Sequence, residues 1–462
     1  MILGEYGKMT TEEFYGEYLV NKYKSIYPLM RLVTYRLDAF ELKDPKSLLF
    51  YYDGGWGKSI KSLLYPFSGL ARYFKKKSGS GDIHVLLSDT ILKSSRYGML
   101  IDRIKKGNEL IGGICTWYNC GYLNRNCVLL DKNICLGKYI IPKKLKAEIS
   151  NLYDYFDNML KSGLKCEDDL EYVDSKLNYI NKMTVEALEK TKKELTRRNV
   201  KLYITCNQYS VDECIMIMAS RQLGIKTKEW QHHSCYLYPK PCKPYEKIYN
   251  SLRFDENSQK YACVEVESLW SRADVNWMNK WGCDFICGKN AKYEIVGGLE
   301  IDENKIIQYI NKYKKNGIIF FVPEAVFFDY DSTIKKRLNN QLEKLSNKYN
   351  LKVYIRFHPG EVQEDYVKLC DEYGFEILQD TYEELIRGIC SSWIGFGYCT
   401  SAIDVAKNYG LKMYQLDLFD ENFEIRGTSV ETVRIEEISK LKIFFELGEI
   451  AADRVDYKLL FS

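Results

Sequence analysis

At 462 residues with a 46% hydrophobic share, the chain is too long for one ordinary core and suits two globular domains. Its 67 basic and 63 acidic residues are interspersed and leave a net charge of +4, which excludes a nucleic-acid-binding stripe and leaves room only for contact with an anionic membrane surface. No apolar run approaches the length of a membrane span, and Met1-Ile2-Leu3-Gly4-Glu5-Tyr6 is not a signal-peptide start.

The fifteen cysteines are an odd number, scattered through strand and helix patterns without a CxxC pair. They read as reduced thiols of a cytoplasmic protein, and zinc at the Cys115–Cys135 cluster is the weaker reading.

Residues 1–47 read as mainly helical. The apolar run Ser47-Leu48-Leu49-Phe50-Tyr51-Tyr52 then feeds Asp53-Gly54-Gly55-Trp56-Gly57-Lys58-Ser59 and a helical pattern, the first half of a βαβ unit. Residues 83–88 repeat the strand signal, 111–140 are irregular, and 143–198 form one long charged helical pattern. Lys201–Thr205 is a strand. Ser210-Val211-Asp212-Glu213 has capping-box spacing, and Gly224 stands at the expected helix stop. A strand over 225–230 ends at Gln231-His232-His233. Residues 262–299 alternate acids and aromatics and close in Gly297-Gly298, which reads as a domain end.

After residue 300 strands and helices alternate with short connections: helix 302–315, strand 318–322, helix 331–349, strand 352–357, helix 361–373, strand 375–378, strand 392–396, helix 402–409 and strand 411–416. This order predicts an α/β fold of two Rossmann-like doubly wound domains, 1–299 and 300–462, facing across a cleft.

Several strand ends carry chemistry. Arg356-Phe357-His358-Pro359-Gly360 places an imidazole and a guanidinium at the C-terminal end of a buried strand, where open α/β sheets bind ligands. A following helix N-terminus favours anions, so Arg356, His358, Pro359 and Gly360 are candidate donor-phosphate contacts. Gly397-Tyr398-Cys399-Thr400-Ser401 links another strand to a helix; Thr400 or Ser401 can cap that helix and hold phosphate with the same hydroxyl. Gly54, Gly55, Lys58 and Gln231 are candidate acceptor contacts. The general base stays open among Asp53, His232, His233 and Glu324. Gly57-Lys58-Ser59 is not a Walker A ending, because Tyr52 stands where that loop needs its first glycine.

The Gln231-His232-His233 turn, Val296-Gly297-Gly298-Leu299-Glu300-Ile301-Asp302, His358-Pro359 and Thr400-Ser401 together resemble GT-B-fold glycosyltransferases of bacterial surface-polysaccharide assembly. The nearest groups are sialyltransferases and polysialyltransferases, Kdo transferases of capsule synthesis, and CDP-glycerol glycerophosphotransferases. The resemblance covers about residues 200 to 416. This chain has His233 where those families have glycine, and it lacks their paired-acid-glycine motif.

The resemblance implies an inverting, metal-independent transferase with no cofactor beyond its nucleotide-activated donor. His358 and the Thr400/Ser401 pair would engage the phosphate of a CMP-activated ulosonic acid. The acceptor would be a cell-surface glycan or lipid-linked glycan, met in the cytoplasm at the inner face of the plasma membrane. Transfer of a polyol phosphate from a CDP-polyol, or nucleotide-sugar and glycan binding without catalysis, are the alternatives.

Overall fold

The computed structural model describes residues 11–38, 85–88, 109, 114–117, 143–197, 199–206, 210–231, 264–281, 292–298, 303–323, 332–358, 363–398, 400–418, 430–450 and 455–462. Helices α1 (Thr11–Tyr15), α2 (Glu17–Lys22) and α3 (Tyr27–Asp38) precede strands β1 (Val85–Ser88) and β2 (Ile114–Trp117). Then come α4 (Lys143–Lys161), α5 (Leu170–Arg197), β3 (Leu202–Thr205), α6 (Val211–Gln222), β4 (Lys226–Trp230), β5 (Val266–Leu269), α7 (Arg272–Trp281) and β6 (Lys292–Ile295).

The six strands form one all-parallel sheet in the order β2-β1-β3-β4-β5-β6. Its two faces are separate cores, as the period-2 geometry of a strand requires. Leu86 and Tyr203 point into a core built with α1 to α6, whereas Val85, Leu87, Leu202 and Ile204 point into a second one with Trp230 and Val296.

The second series is α8 (Glu303–Lys312), β7 (Gly317–Phe321), α9 (Ser332–Tyr349), β8 (Lys352–Arg356), α10 (Glu364–Glu372), β9 (Glu376–Ile377), α11 (Tyr382–Cys390), β10 (Ser392–Gly397), α12 (Ala402–Asn408), β11 (Lys412–Asp417), β12 (Glu431–Arg434) and α13 (Tyr457–Leu460). Its sheet is again wholly parallel, in the order β12-β11-β10-β7-β8-β9. This is the Rossmann order, which reverses direction between β7 and β10. Ile318, Phe320, Val353 and Ile355 face α9 and α10; Ile319, Phe321 and Tyr354 face α8, α11 and α12. Ala273 and Trp277 of α7 pack against this last cluster, so a helix of the first series touches the second core. Two doubly wound α/β sheets are present, as the alternation of elements predicts.

Four departures from the sequence reading have physical causes. The helical pattern over 143–198 is two helices, because Gly163 at φ +74° turns the chain and Leu164 N–H donates to Met159 O at 3.0 Å. The stretch 262–299 hides β5 and α7, because Glu267 and Ser268 are buried within β5 and erase its apolar signal. Helix α11, capped by Thr381 accepting from Glu384 N–H at 3.2 Å, fills the interval between the strands read at 375–378 and 392–396.

The fourth departure concerns residues 455–462, expected with the C-terminal half. Val455, Tyr457, Leu460 and Phe461 join the core beneath the first sheet, and Asp456 N–H donates to Val296 O at 2.8 Å. Among the described residues no helix is long and apolar enough to cross a membrane.

Candidate functional site

The C-terminal ends of β7, β8 and β10 define the candidate site. β7 lies between the other two, so the residues after β8 and after β10 flank it across two strand spacings, about 10 Å. His358 follows β8 and is half-buried. Side chains alternate along an extended chain: Phe357 sits in the core under α9 and α10, which sends His358 to the opposite face.

Thr400 and Ser401 follow β10, both half-buried. A Cβ on Gly397 would lie 2.9 Å from Thr400 Cγ2 and 3.0 Å from Ile403 Cγ1, so glycine lets this loop close onto its strand. Thr400 Oγ1 accepts from Ala402 N–H at 3.3 Å, while Ser401 holds the N-cap position of α12 without a side-chain cap bond. The cap expected of this pair is therefore Thr400's, and the Ser401 hydroxyl is not used in it.

Arg356 is 4% exposed and does not reach outward. Its guanidinium donates to Asp380 Oδ1 at 2.8 Å and to the Gln379 carbonyl, clamping the β9–α11 turn to β8. Alongside, Arg387 binds Glu384 at 2.7 Å and Glu376 at 2.8 Å, and this bond holds the Glu384 carboxyl below the usual carboxylate value. Arg356, read from the sequence as a phosphate contact, thus braces the 379–380 turn against β8.

Gln231 is likewise a brace. Its Oε1 accepts from Trp270 N–H at 3.0 Å and its Nε2 donates to Asp274 at 3.3 Å, while Trp270 Nε1 donates to the Gln231 carbonyl at 2.7 Å. Ser271 donates to Asp274 at 2.7 Å and completes the start of α7. The amide read as an acceptor contact is engaged with Trp270 and Asp274 at the start of α7. Asp53, Gly54, Gly55, Lys58, His232, His233, Glu324, Pro359 and Gly360 lie outside the described residues.

Two further residues come from the structure. Gln363, the N-cap of α10, is buried, and neither atom of its amide has a hydrogen-bond partner among the described residues. Leaving such a group unsatisfied costs about 1–3 kcal/mol, so a polar ligand at this helix start would recover free energy. In the first sheet, Glu213 in the opening turn of α6 is buried and accepts from the hydroxyls of Ser88, at the end of β1, and of Tyr203 in β3. Ser210 caps α6 by accepting from Glu213 N–H at 3.3 Å, as its spacing predicts. The same Ser210–Glu213 spacing was the visible signal for Glu213; its burial was not. For Gln363 the adjoining His-Pro turn was the only signal.

No family model matches the chain, and no curated protein matches it. Solved structures do resemble it. UDP-GlcNAc 2-epimerase from Neisseria meningitidis bound to UDP-GlcNAc is 10% identical, with a TM-score of 0.40 over 78% of this chain and 90% of that one. A putative UDP-N-acetylglucosamine 2-epimerase from Listeria monocytogenes is 10% identical, with a TM-score of 0.45 over 78% and 87%. The α,α-trehalose 6-phosphate synthase from Burkholderia multivorans is 13% identical, with a TM-score of 0.42 over 78% and 89%. Strand order and strand-end residues, not these likenesses, define the site.

Proposed function

We propose that the protein is an inverting glycosyltransferase that moves an ulosonic acid from a CMP-activated donor to a glycan or lipid-linked acceptor, without a metal. The observation that carries this reading is the placement of His358 and Thr400/Ser401 on either side of β7, at the point where a Rossmann-ordered sheet reverses. Rossmann-ordered sheets bind nucleotides there, and the residue types suit a phosphate. His358 donates from its imidazole, Ser401 offers a hydroxyl not used in capping, and five residues after His358 comes Gln363, whose amide has no partner among the described residues. The helix α10, which begins at Glu364, adds its positive end.

In the reaction the acceptor hydroxyl oxygen attacks the anomeric carbon from the face opposite the phosphate. The bond from that carbon to the phosphate oxygen breaks, its electron pair leaves with CMP, and a base on the acceptor side takes the hydroxyl proton. Asp53, His232, His233 and Glu324 are the candidates for that base. His358 and Ser401 stabilise the charge that grows on the departing phosphate. Arg356 acts through the 379–380 turn.

The test is nucleotide release from CMP-, UDP- and GDP-sugars and from CDP-glycerol, with and without a chelator. Release of CMP from a CMP-sugar, unaffected by chelator, is expected. Turnover of CDP-glycerol instead would move the attack from carbon to phosphorus, and release from none would make the chain a binding protein. His358→Ala should lower turnover about 10²–10³-fold, the usual loss when one donor to a developing negative charge is removed. Full turnover in that variant would refute the phosphate role.

A further inference from the structure

The start of α10 is fixed by its neighbours and yet carries an unmet group. Tyr366 donates to Asn339 Oδ1 of α9 at 2.6 Å, and its ring lies edge-on to Phe357 with centroids 6.0 Å apart. Phe357 is next to His358, and Tyr366 comes three residues after Gln363, so this contact holds His358 and Gln363 at the same end of the C-terminal sheet. Lys335 of α9 binds Asp365 of the first turn at 3.0 Å, and Glu364 is exposed. The charges here are matched or solvated. What remains is neutral: the amide of Gln363, on a residue 5% exposed, with no partner for Nε2 or for Oε1 among the described residues.

That amide is not part of the helix cap. Gln363 stands at the N-cap with no side-chain bond to the first turn, where a serine, threonine, aspartate or asparagine would supply one. The same chain uses such caps elsewhere, Ser210 on α6 and Thr381 on α11. Glutamine here gives no cap and leaves two buried polar atoms unmet, each at a cost to folding. Such breaches of local rules belong to functional positions, where a ligand offsets the cost.

We infer that Gln363 reads the base of the nucleotide held at His358 and Ser401, an inference that rests on the nucleotide reading above. A carboxamide carries a donor beside an acceptor in one plane. A phosphate offers acceptors only, so it can take an Nε2 proton and leaves Oε1 unmet. A pyrimidine edge meets both atoms. Cytosine donates from its exocyclic amine and accepts at the neighbouring ring nitrogen, and uracil presents a ring N–H beside a carbonyl. Rotating the amide by half a turn suits it to either base, so Gln363 tells a nucleotide from a bare sugar phosphate without telling cytosine from uracil. No side-chain bond among the described residues holds it, so it can turn to the ligand without breaking one. An N-acyl group on the transferred sugar has the same chemistry. That sugar, however, must face the acceptor half, whereas the base stays with the half that binds the phosphate.

Calorimetry on the full chain with CMP, UMP and ribose 5-phosphate tests this, together with urea unfolding in the absence of nucleotide. Gln363→Met keeps the length of the side chain and removes both polar atoms. It should lower CMP and UMP affinity at least about tenfold and ribose 5-phosphate affinity much less. His358→Ala should weaken all three alike. Without nucleotide the urea midpoint of Gln363→Met should rise, because an unsatisfied amide has left the interior. A glutamine with a structural job would lower that midpoint, and this result overturns the inference. So do equal losses for CMP and ribose 5-phosphate, which would make Gln363 a phosphate contact, and unchanged CMP binding, which would leave it a water for a partner. If the wild type binds none of the three, the nucleotide reading fails and takes this inference with it; CMP binding that Gln363→Met leaves intact sinks the base assignment alone.

Discussion

A buried guanidinium that is already bonded to a turn has a structural job whether or not it also meets a ligand. Arg356 holds Asp380 and the Gln379 carbonyl, so its removal strips a charge-assisted pair from the turn before α11. Asp380 is partly solvated, which moderates the cost. Arg356→Met should destabilise the protein by about 2 kcal/mol, and Asp380→Asn by about 1 kcal/mol, in urea unfolding. Donor KM should rise in both variants, because the shared turn supports the strand that ends in His358. Loss of turnover in Arg356→Met alone, with stability unchanged, would restore direct phosphate contact.

Lys315 makes a different residue-scale case. Burial pushes its ammonium down to about 8, while the nearby Cys390 thiol, raised to about 12 by its own burial, stays neutral. In the unfolded chain the same lysine titrates near 10.5. Between these values the unfolded state binds more protons than the folded one, so stability rises with pH across that window and is flat with respect to this group below it. Wild type compared with Lys315→Met, unfolded in urea from about pH 7 to about pH 10, should show the wild type gaining relative stability only above pH 8. A difference that stays constant across the range would contradict the burial of that charge.

At the scale of elements, two glycines in left-handed conformation separate backbone strain from collision. Gly224, after α6, has φ +69° and open space around its missing Cβ, whereas Gly410, before β11, has φ +71° and would place a Cβ 2.6 Å from Gly448 O. Gly224→Ala should cost about 1 kcal/mol, from conformation alone. Gly410→Ala should cost about 2–4 kcal/mol, because the 441–448 segment must also move; a thermal unfolding series compares them directly.

The same contrast between local signal and tertiary contact governs what was legible in the sequence. Ile318-Ile319-Phe320-Phe321-Val322 is apolar on both faces and reads as a buried parallel strand without help. Val266-Glu267-Ser268-Leu269 does not, since its polar residues are buried by neighbours distant in the chain. Among the candidate site residues, the positions of His358, Thr400 and Ser401 at strand ends were legible because turn chemistry and strand end coincide. The bracing roles of Arg356 and Gln231 were not, because Asp380 and Trp270 are brought to them only by sheet pairing.

For the whole molecule, residues 455–462 bind the end of the C-terminal half to the first sheet. Tyr457, Leu460 and Phe461 cover the face formed by Val85, Leu87, Leu202, Ile204 and Trp230, with Phe461 edge-on to Trp230 at 6.4 Å. Beneath them Lys228 of β4 is wholly buried, with Nζ 2.6 Å from Leu459 O and 2.7 Å from Glu294 of β6. Burial lowers its pKa, and the Glu294 bond opposes that shift. The helix α13 therefore supplies both an apolar lid and a second acceptor for a charge that the sheet meets with Glu294 alone. Removing residues 455–462 opens the lid to water and halves the hydrogen bonding of Lys228. The loss should be about 3–5 kcal/mol and should fall on the first sheet. Amide hydrogen exchange should accelerate in β1, β3 and β4 while β7 and β10 keep their protection, since their cores share no residue with this lid. Lys228→Met in the truncated chain should recover part of the stability, because a methionine there needs no acceptor once Leu459 is gone. Uniform acceleration across both sheets would mean instead that the two halves unfold as one unit.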